Sequence, residues 1–128
     1  MSMGATASVV NIVDEYFRTW EESDFSSLVV LFSPDATYEI LPIGKTLKGH
    51  AEISEYWKRN KNRQKSLSLW WKTISFSSKH IEVIFIAEFD DCEELERQKI
   101  VGEIFFSIVG NATIKSLTET YRKYICGS

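Results

Sequence analysis

An α+β domain, with helices covering one face of a curved antiparallel sheet, is the fold class this sequence predicts. Three observations predict it. Helical spacing of apolar residues is confined to the part of the chain before Lys58. Long alternating runs occupy nearly everything from Ser66 onward, and the breaks between them are short enough for hairpins. Helices first and strands afterwards imply a sheet with helices packed on one face. At 128 residues the chain fits one domain around a single core, and no repeat, linker or low-complexity segment divides it.

The first helix is expected over Ser8 to Glu22. Val9, Ile12, Val13, Tyr16, Phe17 and Trp20 make a stripe at helical spacing, and Ser8 or Thr6 could cap its start. Ser23-Asp24 breaks it, and Asp24 is the N-cap expected of a short second helix through Leu28, Val29, Leu31 and Phe32. Pro34 stops that helix, because the residue before a proline is pushed out of the α region. Ala36 to Leu41 reads as a strand, Pro42-Ile43-Gly44-Lys45 as a turn, and Gly49-His50 opens a third helix with Ile53, Tyr56 and Trp57 on its apolar face. Four β segments follow: Ser66 to Ser77, Ile81 to Phe89, Gln98 to Val109 and Ala112 to Tyr124. The turns are Ser77-Ser78-Lys79, the acidic run Asp90 to Glu94, and Gly110-Asn111. Those lengths suit an antiparallel meander.

Several function classes lose support from composition. A net charge of -3 argues against a general nucleic-acid binder, which carries a basic surplus. The basic run Lys58, Arg59, Lys61, Arg63, Lys65 lacks interleaved aromatics and reads as a solvated connection rather than an anion site. No apolar run is long enough for a membrane span, and MSMGATASVV lacks the pattern of a secretory signal, so a cytoplasmic protein is expected. Cys92 and Cys126 stand alone and read as free thiols. With His50 at a helix start and His80 in a turn, no metal site is expected, and no phosphate-binding or dinucleotide fingerprint calls for a cofactor.

Alternation along the strands groups the candidate site residues. Tyr38 and Ile40 share a face, as do Leu69, Trp71 and Thr73, then Val101, Glu103 and Phe105, then Leu117, Glu119 and Tyr121. Glu103 sits between Val101 and Phe105 in a run of Ile, Val and Phe, where a carboxyl group facing a cavity would serve as proton donor or base. An offset pleat would instead turn it to solvent. Glu119 lies on a more polar strand, and a surface cross-strand pair is the favoured reading there. Tyr16, on the buried stripe of the first helix, needs a partner for its hydroxyl. Trp57 and Trp71 are candidates for an apolar cavity wall or for plain core packing. The segment from Gln98 to Val109 is apolar on both faces, with Val101 and Phe105 on one and Ile104, Phe106 and Ile108 on the other. A sheet covered by helices on one face therefore needs a second cover, and a homodimer through the outer sheet face is expected.

The run LFSPDATYEILPIGKTLKGHAEISEYW, together with the first helix ending in TWEESDFSSLVVLF and the closing meander, resembles the nuclear-transport-factor-2-like superfamily. That group includes ketosteroid isomerases and SnoaL-like polyketide cyclases. The resemblance spans almost the whole chain in order and length, and it implies a cone-shaped curved sheet, a cystatin-like roll, under three N-terminal helices. Compared with the ketosteroid isomerase pattern, Tyr16 matches the oxyanion-donating tyrosine and Glu103 the assisting acid. Ile40 stands where that pattern has its general base, which removes the group an isomerase of that kind needs. SnoaL-like cyclases place an acid on the final strand, where this chain has Glu119. The resemblance thus implies a pocket for a small apolar, cyclic or carbonyl-bearing ligand. Its chemistry would be cofactor-free, of lyase, cyclase or isomerase type, with Glu103 and Tyr16 catalytic. Tyr38, Ile40, Trp57, Trp71, Phe105, Leu117 and Glu119 would line the pocket. A filled core would instead leave a dimerisation or protein-interaction module of the same fold.

Overall fold

The first helix, α1, spans Ser2–Glu21 and buries Ile12, Val13, Tyr16, Phe17 and Trp20, the stripe its spacing predicts. The computed structural model describes the backbone of residues 2–110 and 112–126, and side chains from residue 11 onward within those ranges. Thr6 and Ser8 fall inside the helix and not at its cap. Their side chains and that of Val9 lie outside the described residues, as does Asn111 of the expected Gly110-Asn111 turn. Helix α2, Phe25–Val29, starts at Asp24, whose carboxylate accepts from the Ser27 backbone N–H at 3.3 Å. It ends before Phe32, which already belongs to the first strand, β1 (Phe32–Ile40). Pro34 lies where the register of β1 shifts, between Phe32 and Thr37, so its missing N–H breaks no regular ladder.

A 3-10 turn, Leu41–Ile43, leads into β2 (Lys45–Lys48), a short strand not expected from the sequence, which pairs antiparallel with β1. Helix α3 follows at Gly49–Arg63. Gly49 has φ +76°, and a Cβ there would press on the Pro34 carbonyl oxygen at 3.2 Å, so glycine suits both the backbone and the space. Lys58, Arg59, Lys61 and Arg63 belong to α3 and do not form a connection. They crowd toward its C-terminal end, where positive charge is favourable.

The remaining strands are β3 (Gln64–Phe76), β4 (His80–Asp91), β5 (Glu96–Val109) and β6 (Thr113–Ile125). They form one curved, unclosed six-stranded sheet in the order β2-β1-β6-β5-β4-β3. The meander is antiparallel as expected, but β1 and β6 run parallel, with Tyr38 beside Leu117 and Ile40 beside Glu119. Most of the chain connects those two strands, which leaves room for the crossover a parallel pair requires. The concave face carries Ile81, Val83, Phe85 and Ala87 of β4 with Ile104, Phe106 and Ile108 of β5, all buried under the helices. The convex face exposes Trp70, Ile74, Val101 and Phe105. Among the described residues no helix is long and apolar enough to cross a membrane.

Curvature depends on Gly102. A Cβ there would collide with the Thr120 carbonyl oxygen and come within 2.7 Å of Tyr121 Cβ and 3.0 Å of the Phe85 ring. Backbone cannot yield as a flexible side chain can, so Gly102→Ala should destabilise the protein by at least ~2 kcal/mol, the scale of an overpacked core. Urea unfolding of the variant measures this, and a midpoint equal to wild type would contradict it.

Candidate functional site

The concave face of β6 carries Leu117, Glu119 and Tyr121 in alternation, and Glu119 is only 5% exposed. Its neighbour across β5 is Ile104 and across β1 is Ile40. The Tyr38 hydroxyl donates to Glu119 Oε1 at 2.9 Å, and the Tyr16 hydroxyl lies 3.0 Å from that of Tyr38. Because Tyr38 spends its proton on the carboxylate, Tyr16 donates to Tyr38, giving a directed chain from α1 through β1 to β6. Among the described residues no cation bonds Glu119. Burial pushes its pKa up from 4.5 to about 7, and the Tyr38 hydrogen bond only partly offsets this. Burial, then the Glu119 charge, raises both tyrosine hydroxyls well above their ordinary range, so they remain donors at any physiological pH.

Glu119 forms part of the wall of a cavity of about 220 Å3 between α3 and the sheet. Tyr56, Trp57, Trp20 and Tyr121 make its aromatic sides, while Arg63, Gln64 and Lys123 stand nearer solvent. At that end Arg63 bonds Asp91 at 2.7 Å and Glu93 at 2.9 Å. Burial opposes ionisation of Asp91, but N–H groups of Glu94 and Glu93 together with Arg63 hold its pKa below the ordinary value. This acid is a structural anchor for the turn after β4.

Trp57 is 1% exposed, and its indole N–H has no acceptor among the described residues. The indole N–H of Trp20 reaches Gln64 Oε1 at 3.0 Å, and that of Trp71 reaches Asp14 Oδ1 at 2.8 Å. A buried donor left without a partner costs about 1–3 kcal/mol. No group of three His, Cys, Asp or Glu among the described residues could hold a metal ion.

The structure brings together Tyr16, Tyr38 and Glu119, with Ile40 and Leu117 buried beside them; Glu119 and Trp57 line the cavity, whereas Tyr38, Ile40 and Leu117, expected in its wall, are packed outside it. Three further expectations are corrected. Glu103 and Phe105 point out from the convex face, where Glu103 is exposed and Phe105 is 41% exposed. Glu103 alternates with the buried Ile104, Phe106 and Ile108, so the pleat of β5 turns it outward. Continuing the pairing of Val109 with Thr113 and Ile108 with Ile114 would set Glu103 opposite Glu119. A register shift between Ser107 and Ile108 sets Ile104 there, so the two acids face opposite ways. Trp71 lies on the concave side but outside the cavity wall, stacked on Phe17 at 4.9 Å. Glu119 is likewise no surface pair. Tyr56 and Tyr121 were missed as cavity residues, although Tyr121 shares the face of Glu119. His50 ties its Nε2 to the Phe32 carbonyl oxygen at 2.8 Å and has no place in the site.

The architecture defines a class. This is the nuclear-transport-factor-2-like fold, the cone shared by ketosteroid-isomerase-like and SnoaL-like proteins. No protein-family model and no curated protein matches the chain. Among similar solved structures is SalBIII, an epoxide hydrolase/cyclase-like enzyme of pyran ring formation in the polyether salinomycin. The two are 22% identical with a TM-score of 0.82, over 94% of this chain and 97% of that one. The Δ5-3-ketosteroid isomerase of Mycobacterium sp. is 17% identical with a TM-score of 0.78, over 92% and 98%. A Mycobacterium tuberculosis protein in complex with estradiol-17β-hemisuccinate is 14% identical with a TM-score of 0.75, over 88% and 92%.

The Glu119 shift has a signed consequence for stability. A carboxyl raised from 4.5 to about 7 disfavours the charged folded form by roughly 3 kcal/mol. The folded state holds the proton more tightly, so this contribution is complete below pH 4.5 and disappears as pH rises through about 7. Glu119→Gln keeps the neutral shape and the acceptor for Tyr38. It should leave stability near wild type at pH 5 and raise it by ~2–3 kcal/mol at pH 8, measured by urea unfolding at both values.

Proposed function

We propose that this protein is a cofactor-free acid–base enzyme that binds a small, largely apolar ligand bearing a carbonyl or ring oxygen. One observation carries the reading: an uncompensated carboxyl group, titrating near neutrality, in the wall of an aromatic cavity. The related activities of SalBIII and the mycobacterial isomerase support this choice of chemistry, and the estradiol-hemisuccinate complex supports an apolar ligand.

Near pH 7 Glu119 is present in both forms. Protonated, it donates to the ligand oxygen; ionised, it takes a proton from an adjacent C–H or O–H. A single carboxyl that gives one proton and recovers another leaves the total unchanged, which suits isomerisation or intramolecular ring closure. Tyr38 holds the carboxyl in place and Tyr16 holds Tyr38; neither lines the cavity, so both are positioning residues. Glu103 has no part in this chemistry.

Hydrogen–deuterium exchange next to the carbonyl of cyclohexanone, followed by NMR, tests the reading. Wild type should accelerate exchange with a midpoint near pH 7, and Glu119→Gln should lose about 100-fold or more. In Tyr38→Phe the midpoint should move alkaline, since the hydrogen bond that lowers the Glu119 pKa is gone. Exchange that survives in Glu119→Gln sinks the assignment.

The convex face supports a second role, association. Trp70 is 49% and Ile74 50% exposed beside Phe105 and Val101, an apolar surface of the kind that pairs with another copy of the chain. Sedimentation should show a dimer, and Phe105→Glu should yield a monomer with an unchanged cavity. A monomeric wild type would remove this role.

A further inference from the structure

We infer that the indole N–H of Trp57 is a ligand-binding donor: it and Glu119 grip one oxygen atom of a compact, neutral ligand of one or two rings. The inference rests on the acid–base reading of the cavity and adds to it the group that orients the ligand and the limit on ligand size.

Three observations on separate elements carry it. Trp57 lines the same cavity as Glu119, and its N–H is buried without an acceptor among the described residues. Trp20 and Trp71, which face the same side of the sheet, both satisfy their N–H groups with side chains. The exception on this side of the sheet is therefore the indole that shares a cavity wall with the acid. Packing fixes the ring, with Trp20 at 5.1 Å, Phe25 at 5.3 Å and Tyr56 at 5.6 Å between centroids, so the donor cannot swing away to find a partner. Indole N–H donates only. What it lacks is an acceptor, which a carbonyl, ether or hydroxyl oxygen supplies and a hydrocarbon or an ammonium group does not.

Size follows from the cavity. At about 220 Å3 it lies below the roughly 300–1,000 Å3 of clefts that enclose drug-sized ligands. A four-ring steroid exceeds it, whereas one or two six-membered rings fit. Charge follows from the wall. No cation bonds Glu119 among the described residues, and Arg63 and Lys123 stand at the solvent end of the wall with Arg63 held by Asp91 and Glu93, so the end of the ligand that reaches Glu119 is neutral.

The two donors then act together. A proton delivered by Glu119 to the ligand oxygen arrives at an atom already held and polarised by Trp57. When an ionised Glu119 instead takes the adjacent C–H proton, the N–H stays on the oxygen that gains negative charge as the enolate forms, the arrangement by which fixed donors favour such intermediates.

The test uses the full chain with α-tetralone, a two-ring ketone, tetralin, the same skeleton without oxygen, and progesterone. The Trp57 indole N–H resonance, assigned through bonds in wild-type protein, should move downfield with α-tetralone and not with tetralin. Trp57→Phe should bind α-tetralone about 5- to 10-fold more weakly, the loss of one hydrogen bond. Trp71→Phe, whose ring lies outside the cavity, should bind it as wild type does. Progesterone should not compete. Equal binding of ketone and hydrocarbon, or an unmoved Trp57 resonance on saturation with α-tetralone, overturns the inference; the resonance needs no variant and so no question of folding enters. Progesterone bound as tightly as α-tetralone overturns the size limit. If the ketone response is intact but wild type exchanges no α-hydrogens, the acid–base reading fails and Trp57 as donor stands. If exchange depends on Glu119 while the Trp57 resonance is silent, the reverse holds.

Discussion

Glu119 is buried between Ile40 and Ile104 with one hydroxyl and no cation to support it, and a carboxyl group in that position sets terms for its surroundings. In an apolar wall it must be either neutral or strongly hydrogen-bonded. Here a tyrosine supplies the bond, and that tyrosine needs a donor of its own, which α1 delivers. The docking of α1 on the sheet is thus tied to the acid through two hydroxyls, and the cavity exists because α3 and β6 leave the other side of the carboxyl open. Removing the acid would relieve the protein. Keeping it charged at neutral pH opposes folding, a cost characteristic of groups retained for chemistry.

The sheet divides its labour by face. The concave side is shaped by aromatic packing: Phe17 on Trp71, Trp20 and Phe25 on Trp57. This packing fills most of the cone and confines the open space to one end. Gly102 lets the strands bend sharply enough for Phe85 and Tyr121 to meet over it. The convex side has apolar residues but no buried acid, and its largest hollow, about 530 Å3 and lined by Trp70, Val101 and Glu103, is a surface depression. Its greater volume does not make it the chemical site, because the acid in its wall, Glu103, is exposed.

The order of elements was legible because each long segment keeps one period: 3.6 in α1 and α3, two in β3 to β6. Short pieces were not. Lys45–Lys48 is too brief to show alternation, so β2 was invisible, and the parallel pairing of β1 with β6 has no local signature. The site was half legible. Tyr16 lies on the buried stripe of α1 and Tyr38 shares a face with Ile40, but the buried carboxyl is Glu119 and not Glu103. In β5 both faces are apolar, so composition does not tell which one looks inward, and Glu103 seemed to lie among core residues. One extra residue in β6 beside Ser107 turns Glu119 to the inner face, and such a bulge leaves no mark in a pattern of apolar residues. The usable clue was Gly102, in phase with Ile104 and Phe106: a missing side chain on a crowded surface marks the concave face.

The Tyr38–Glu119 bond joins residues 81 positions apart, and no shorter piece of chain can make it. During synthesis the helices and β1 emerge long before the strand that carries the acid, so the nascent domain holds Tyr16, Tyr38 and Trp57 without Glu119. The last strand completes both the parallel pair and the cavity wall in one event. As it docks, Glu119 must leave water, and between pH 4.5 and about 7 it takes up a proton as it does so. Assembly of the closing strand is therefore itself a proton-uptake step, and the acidity of the compartment in which the chain folds sets how readily the cone closes.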